Sequence, residues 1–156
     1  DHANGAAKIF LAFMSEEERA RLLSRPLERL TPFTKTDPEA VAAELRQVAE
    51  EGVAYDVQES GLGVVAVGAP VRDASGRVIA AYGIVCPPER LTESVLAHYA
   101  GIVKASALAV SRDLGFQGPL AGLTYPNSGS SEPVGDGKAR SRARKSASAD
   151  SRPNRG

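Results

Sequence analysis

Apolar positions along the chain recur first at spacings of three and four, then of one and two, then of three and four again, and these changes of period divide it into elements. Ala6, Ile9, Phe10 and Phe13 form one stripe of a helix expected over residues 4–14. Ser15 and Glu18 have the spacing of a capping box, so a second short helix is expected from Glu16 to Ser24, before Pro26. The stretch ERLTPFTKTDPEA reads as a loop, because Pro32 and Pro38 each push the preceding residue out of the helical region. Asp37 then caps a third helix with Pro38 at its first position, Val41, Leu45 and Val48 on its apolar face and Gly52 at its end.

Three strand patterns follow, VAYDVQE, VVAVGAPVR and RVIAAYGIV, the last two joined around Asp73, Ala74, Ser75 and Gly76. Both arms of that hairpin are apolar at nearly every position, which predicts cover on both faces. Thr92 caps a last helix expected from about Glu93 to Leu114, stopped by Gly115. The expectation is an α/β (α+β) unit with an antiparallel sheet. Three strands covered on both faces need further sheet beside them, so the unit reads as incomplete. The helical pattern starts at once, with neither an initiator Met nor a signal peptide, and Asp1 is expected to lie inside a longer polypeptide.

Composition narrows the folded part. Beyond Gln117 periodicity stops and Gly, Pro, Ser, Arg and Lys dominate, so residues 1–116 are expected to form the domain and residues 117–156 a disordered basic Ser/Arg-rich tail. The zero net charge divides into −4 for residues 1–116 and +4 for the rest, so the domain itself is no basic nucleic-acid platform. The run KARSRARK in the tail reads as a solvated terminus, with non-specific phosphate contacts as the alternative. A single cysteine excludes an internal disulfide, and no apolar run suggests a membrane span; a cytoplasmic protein without membrane contact is expected.

Conventional catalytic and metal-binding signals are sparse, and neither a catalytic residue, a metal nor a cofactor is expected. His2 and His98 have no Cys or His at ligand spacing. Cys86 reads as a small buried hydrophobe, or as a nucleophile if a base stands near it. Asp56 interrupts an apolar strand, either as an exposed edge residue or as a polar group lining a pocket. Asn4, Gly5 and Ala6 stand at a helix start, where unpaired N–H groups and the helix dipole favour an anion, and Lys8 one turn on reads as part of that or as a surface charge.

HANGAAKIFLAFMSEEERARLL, RPLERLTPFTKTDPEAVAAELRQVAEEGVAYD, APVRDASGRVIAAYGI and RLTESV with SRDLG occur in an order and spacing that resemble the effector-binding domain of the IclR family of bacterial transcription regulators, over about residues 2–115. The resemblance implies a GAF/profilin-like antiparallel sheet with flanking helices, here truncated at its N-terminus. It also implies an N-terminal winged helix-turn-helix for operator DNA, absent from this chain, and a homodimer or homotetramer.

The resemblance further implies a pocket for a small organic acid effector. Gly5 and Ala6 match the helix-start pair whose amides receive the effector carboxylate, and Asp56 matches an acidic pocket residue. Ala66 stands where members that bind small oxo-acids have a cysteine, and Gly83 and Val85 where they have two serines. The loss of these donors points to a larger or more apolar acid, aromatic or aliphatic. Gly83 is expected to leave room for it, so that Gly83→Leu would fill the cavity with the fold intact. The alternatives are a structural or oligomerisation domain without ligand, and an enzyme using Asp56 and Cys86.

Overall fold

The structure, a computed structural model, describes residues 2–119. Nearly all of the expected tail, residues 120–156, lies outside them. The elements run in chain order α1 (Gly5–Phe13), α2 (Glu16–Leu23), α3 (Pro38–Glu51), β1 (Ala54–Val57), β2 (Val65–Arg72), β3 (Val78–Cys86), a 3-10 turn (Pro88–Arg90) and α4 (Glu93–Asp113).

Each helix starts where its cap is. Asp37 accepts from the Glu39 and Ala40 amides at 3.2 and 3.3 Å, and Gly52 ends α3 with φ 69°, a left-handed conformation that suits glycine. Thr92 accepts from Val95 N at 3.2 Å to start α4. At α2 the box closes differently from expectation: Ser15 Oγ accepts from Glu18 N but donates to Glu18 Oε2, side chain to side chain.

The sheet is antiparallel in the order β1-β2-β3. Two-residue alternation gives it two faces. Val67, Ala69 and Val71 of β2 pack with Ala100, Val103 and Ala107 of α4. On the opposite side α1 and α3 join through Ile9, Ala12, Val41, Leu45 and Val48. α4 is long and apolar enough to cross a membrane by length and composition, yet its Ala100, Val103, Ala107 and Ser111 stripe is buried within the domain.

Two expectations are corrected here. β2 is buried on both faces, but β3 is half-buried or exposed along most of its length, with Val85 71% exposed. The reason is its place: β3 has a hydrogen-bonding neighbour on one side alone among the described residues. The buried face of α1 is also turned by about one residue from the expected stripe. Gly5, Lys8, Ile9, Leu11 and Ala12 are buried, whereas Ala6 and Phe10 face out.

Candidate functional site

The register of the sheet assembles most of the candidate residues. Asp56 pairs with Ala66, and Ala66 with Val85; one step along, Ala54 pairs with Gly68, and Gly68 with Gly83. Directly opposed residues of antiparallel strands point to one face, so these two rows share the side that α1 covers. The start of α1 closes over them: a Cβ built on Gly5 would lie 3.8 Å from Cβ of both Ala66 and Asp56. Between them lies a half-open cleft of about 230 Å³, lined by Asn4, Gly5, Ala6, Ala66, Gly83 and Val85 among others. Six of the seven candidate residues line it.

No lining residue of this cleft is ionisable except Tyr82. Apart from Tyr82, its polar equipment is backbone and Asn4. That side chain is already engaged, since Asn4 Oδ1 accepts from Ala6 N at 2.8 Å and Ala7 N at 3.4 Å. The cap therefore occupies donors that an incoming carboxylate would use.

Asp56, the seventh candidate, lies below the cleft with its carboxylate turned into the protein. It is completely buried; Oδ1 accepts from Glu59 N and Ser60 N at 2.9 and 3.1 Å, and Oδ2 takes a short bond from Ser60 Oγ. Its contacts organise the turn after β1, where Gln58 stands at φ 58°.

Beside that turn lies a group of charges with no sequence expectation of burial. Lys8 is 1% exposed and its Nζ donates to Glu44 Oε1 at 2.8 Å, Glu59 Oε1 at 2.6 Å and the Tyr55 carbonyl at 2.8 Å. Lys35 reaches Glu44 Oε2 at 3.0 Å and Glu59 Oε1 at 3.5 Å. Burial works to raise the Glu44 carboxyl, but bonds to Lys8 and Lys35 outweigh it and hold that group below its ordinary value. For Lys35 burial acts downward, and the opposing carboxylates of Glu44 and Glu59 raise the ammonium above its ordinary value. Lys8 is thus a buried ion, which corrects the surface-charge reading. A clue was available: a lysine one turn after Gly5 and beside Ile9 interrupts the stripe that is buried.

The profile of the family described as "Bacterial transcriptional regulator IclR C-terminal" matches residues 2–112. The chain belongs to the IclR family. It is similar to the HTH-type transcriptional repressor AllR of Salmonella paratyphi A, 33% identical over 121 residues, covering 77% of this chain and 44% of the repressor. The chain thus spans under half the length of the curated relative. The fold is similar to that of Thermotoga maritima IclR, with a TM-score of 0.69 and 31% identity, covering 74% of this chain and 47% of that one. It is also similar to a double mutant of the PobR inducer binding domain from Acinetobacter, solved with 3-hydroxybenzoic acid, with a TM-score of 0.65, 26% identity and coverage of 73% and 64%. This is the C-terminal, effector-binding domain of a regulator family, and the relatives are named as regulators or repressors rather than enzymes.

Within this IclR domain the enzyme alternative also lacks a geometry. Cys86 pairs with Val65, one residue out of step with the Asp56–Ala66 pair, so the two side chains leave opposite faces of the sheet. Cys86 is buried, as a small hydrophobe would be. Among the described residues no three His, Cys, Asp or Glu side chains form a metal-binding group.

Gly83 lines the cleft, but the space a side chain would have there is narrow. A Cβ there would lie 3.0 Å from the Val67 carbonyl oxygen, a backbone atom of the neighbouring strand. Its missing side chain permits close strand approach, and a leucine would press on the sheet before it filled the cleft. A larger cavity, about 440 Å³, opens among His2, Leu11, Leu23, Arg25, Leu27 and Glu28, and none of the candidate residues lines it.

Proposed function

We propose that this IclR domain senses a compact, largely apolar organic acid, aromatic or aliphatic, in the cleft between the start of α1 and the Ala66–Val85 row. The observation that carries this reading is the union of a helix start at Asn4, Gly5 and Ala6 with a wall of Ala66, Gly83 and Val85 that has no side-chain hydroxyl or thiol. The helix start offers positive partial charge to a carboxylate, and the Ala6 and Ala7 N–H groups where the carboxylate displaces Asn4 Oδ1. The wall offers apolar contact to the rest of the molecule. Asp56 underlies the site and holds the turn beside it; its meeting a ligand directly would require Ser60 to give way.

The cleft is smaller than the roughly 300–1,000 Å³ usual for ligand pockets, which favours a single ring or a short branched chain over anything longer. The PobR domain solved with 3-hydroxybenzoic acid supports an acid of that size. In the whole protein, an effector that binds one arrangement of the oligomer more tightly than another shifts the balance between them, and with it the spacing of operator-binding domains. That assembly is taken to be a cytoplasmic homodimer or homotetramer.

One observation favours the ligand-free structural reading. Asn4 already satisfies the Ala6 and Ala7 amides. The test is calorimetry on the intact protein with benzoate, 3-hydroxybenzoate, branched aliphatic acids and glyoxylate. Saturable heat with the ring or branched acids supports sensing; no heat with any of them leaves the domain a structural one.

A further inference from the structure

We propose that Lys8 is a positioning residue for the cleft: through its buried contacts it sets the distance between the first turn of α1 and the strands below. The inference rests on the reading of the cleft as an effector site. Three observations carry it.

First, the Lys8 ammonium ties the first turn of α1 to the sheet edge. Its amide makes the ordinary helical bond to the Asn4 carbonyl at 2.9 Å, which fixes the residue at the lip of the cleft, and its ammonium bonds the Tyr55 carbonyl at 2.8 Å, in β1. Gln58 N donates to Val64 O at 2.8 Å, so by alternation Asp56 and Ala66 form a hydrogen-bonded pair and the Tyr55 carbonyl points away from β2. Lys8 therefore fills the place that a further strand would take at the outer edge of β1.

Second, the chain of contacts continues to the residue under Gly5. Lys8 Nζ bonds Glu59 Oε1, the Glu59 amide bonds Asp56 Oδ1, and Asp56 lies beneath the start of α1. The three partners of the ammonium sit on α3, on β1 and on the turn after β1. Movement of α1 relative to the sheet breaks at least one of these bonds.

Third, stability alone is a poor reason for such a cluster. Buried ion pairs return little more than their desolvation cost, and apolar residues of similar size often do as well. Here one oxygen, Glu59 Oε2, is buried without a partner. What directed bonds to an ammonium supply, and a methionine cannot, is fixed distance.

The experiment compares the intact wild-type protein with Lys8→Met and with Lys8→Met/Glu59→Gln. The single variant leaves the buried Glu59 with only the 3.5 Å contact to Lys35 and risks unfolding; the double variant removes both charges and retains the Lys35–Glu44 pair. Hydrogen exchange is read without ligand, and affinity for 3-hydroxybenzoate by calorimetry. A folded double variant is expected to exchange faster over residues 4–8 and 54–60 with α4 unchanged, and to bind the probe about tenfold more weakly. Unchanged exchange over those segments overturns the proposal whatever binds. So does a wild-type affinity in the double variant. If the wild type binds no acid, it is the cleft reading that fails, and the link from Lys8 to a ligand falls with it.

Discussion

The Ser111 hydroxyl accepts a 2.9 Å hydrogen bond from the Arg72 amide and donates a 2.7 Å bond to the Ala107 carbonyl, tying α4 to β2 where the pairing with β3 shifts between Val71 and Arg72. A bulge leaves backbone groups without their ladder partner, and a buried amide in that state is costly. Ser111→Ala removes the acceptor and is expected to cost about 1–3 kcal/mol, read from the urea midpoint. An unchanged midpoint would show that the Arg72 amide finds another acceptor.

Asn4 separates helix stability from acid binding. Asn4→Ala removes the cap and is expected to cost about 1 kcal/mol, while freeing the Ala6 and Ala7 amides and strengthening binding of 3-hydroxybenzoate. Asn4→Asp keeps a cap but places a negative charge at the lip, so affinity falls with little loss of stability. Changes of the same sign in both variants would remove the helix start as the seat of the acid.

Ala66 and Gly83 line the same cleft but respond differently to enlargement. Gly83→Ala forces a Cβ to 3.0 Å from the Val67 carbonyl and is expected to lower the melting temperature. Ala66 is half-buried on the cleft wall, so Ala66→Leu is expected to abolish probe binding with a near-native melting temperature. Calorimetry and a thermal melt on both variants test this; wild-type binding by Ala66→Leu would place the ligand elsewhere.

The Glu44 and Lys35 pair gives stability an acid and an alkaline limb. Glu44 is held below its ordinary 4.5, so its contribution is present above about pH 4.5 and is lost as pH falls through the depressed folded value. Lys35 is held above its ordinary 10.5, so its contribution is present below about pH 10.5 and is lost as pH rises through the raised folded value. Glu44→Gln is expected to flatten the acid limb in melts taken across pH. An acid limb of wild-type steepness in that variant would assign it to other carboxylates.

Assembly is expected to use the outward face of α4. Ile102 and Val110 are about 40% exposed there, and Ala97, Gly101, Ala105 and Ala109 recur every four residues on exposed positions. Small residues at that spacing let a second helix approach closely. Sedimentation of the intact protein at micromolar concentration is expected to show a dimer or tetramer, and Ala105→Arg to shift it toward monomer. A monomeric wild type would end this reading.

The sequence by itself determined the elements and their ends. Asp37, Gly52 and Thr92 act through their immediate neighbours, so their effect is legible within four residues of chain. It also determined that Asp56 and Ala66 belong to strands, and the family resemblance drew the candidate residues together. Burial was decided elsewhere, because it depends on which elements meet. Lys8 is buried because Glu44, Glu59 and Tyr55, 36 to 51 residues away, converge on its ammonium, and no local pattern records that meeting. Asp56 turns inward because Ser60 and Glu59 offer donors at the end of β1, and Gly83 is excluded from side-chain space by a carbonyl of β2. Caps and periods are short-range properties of the chain, whereas the pairing of buried charges and the space beside a strand exist only once distant segments have packed.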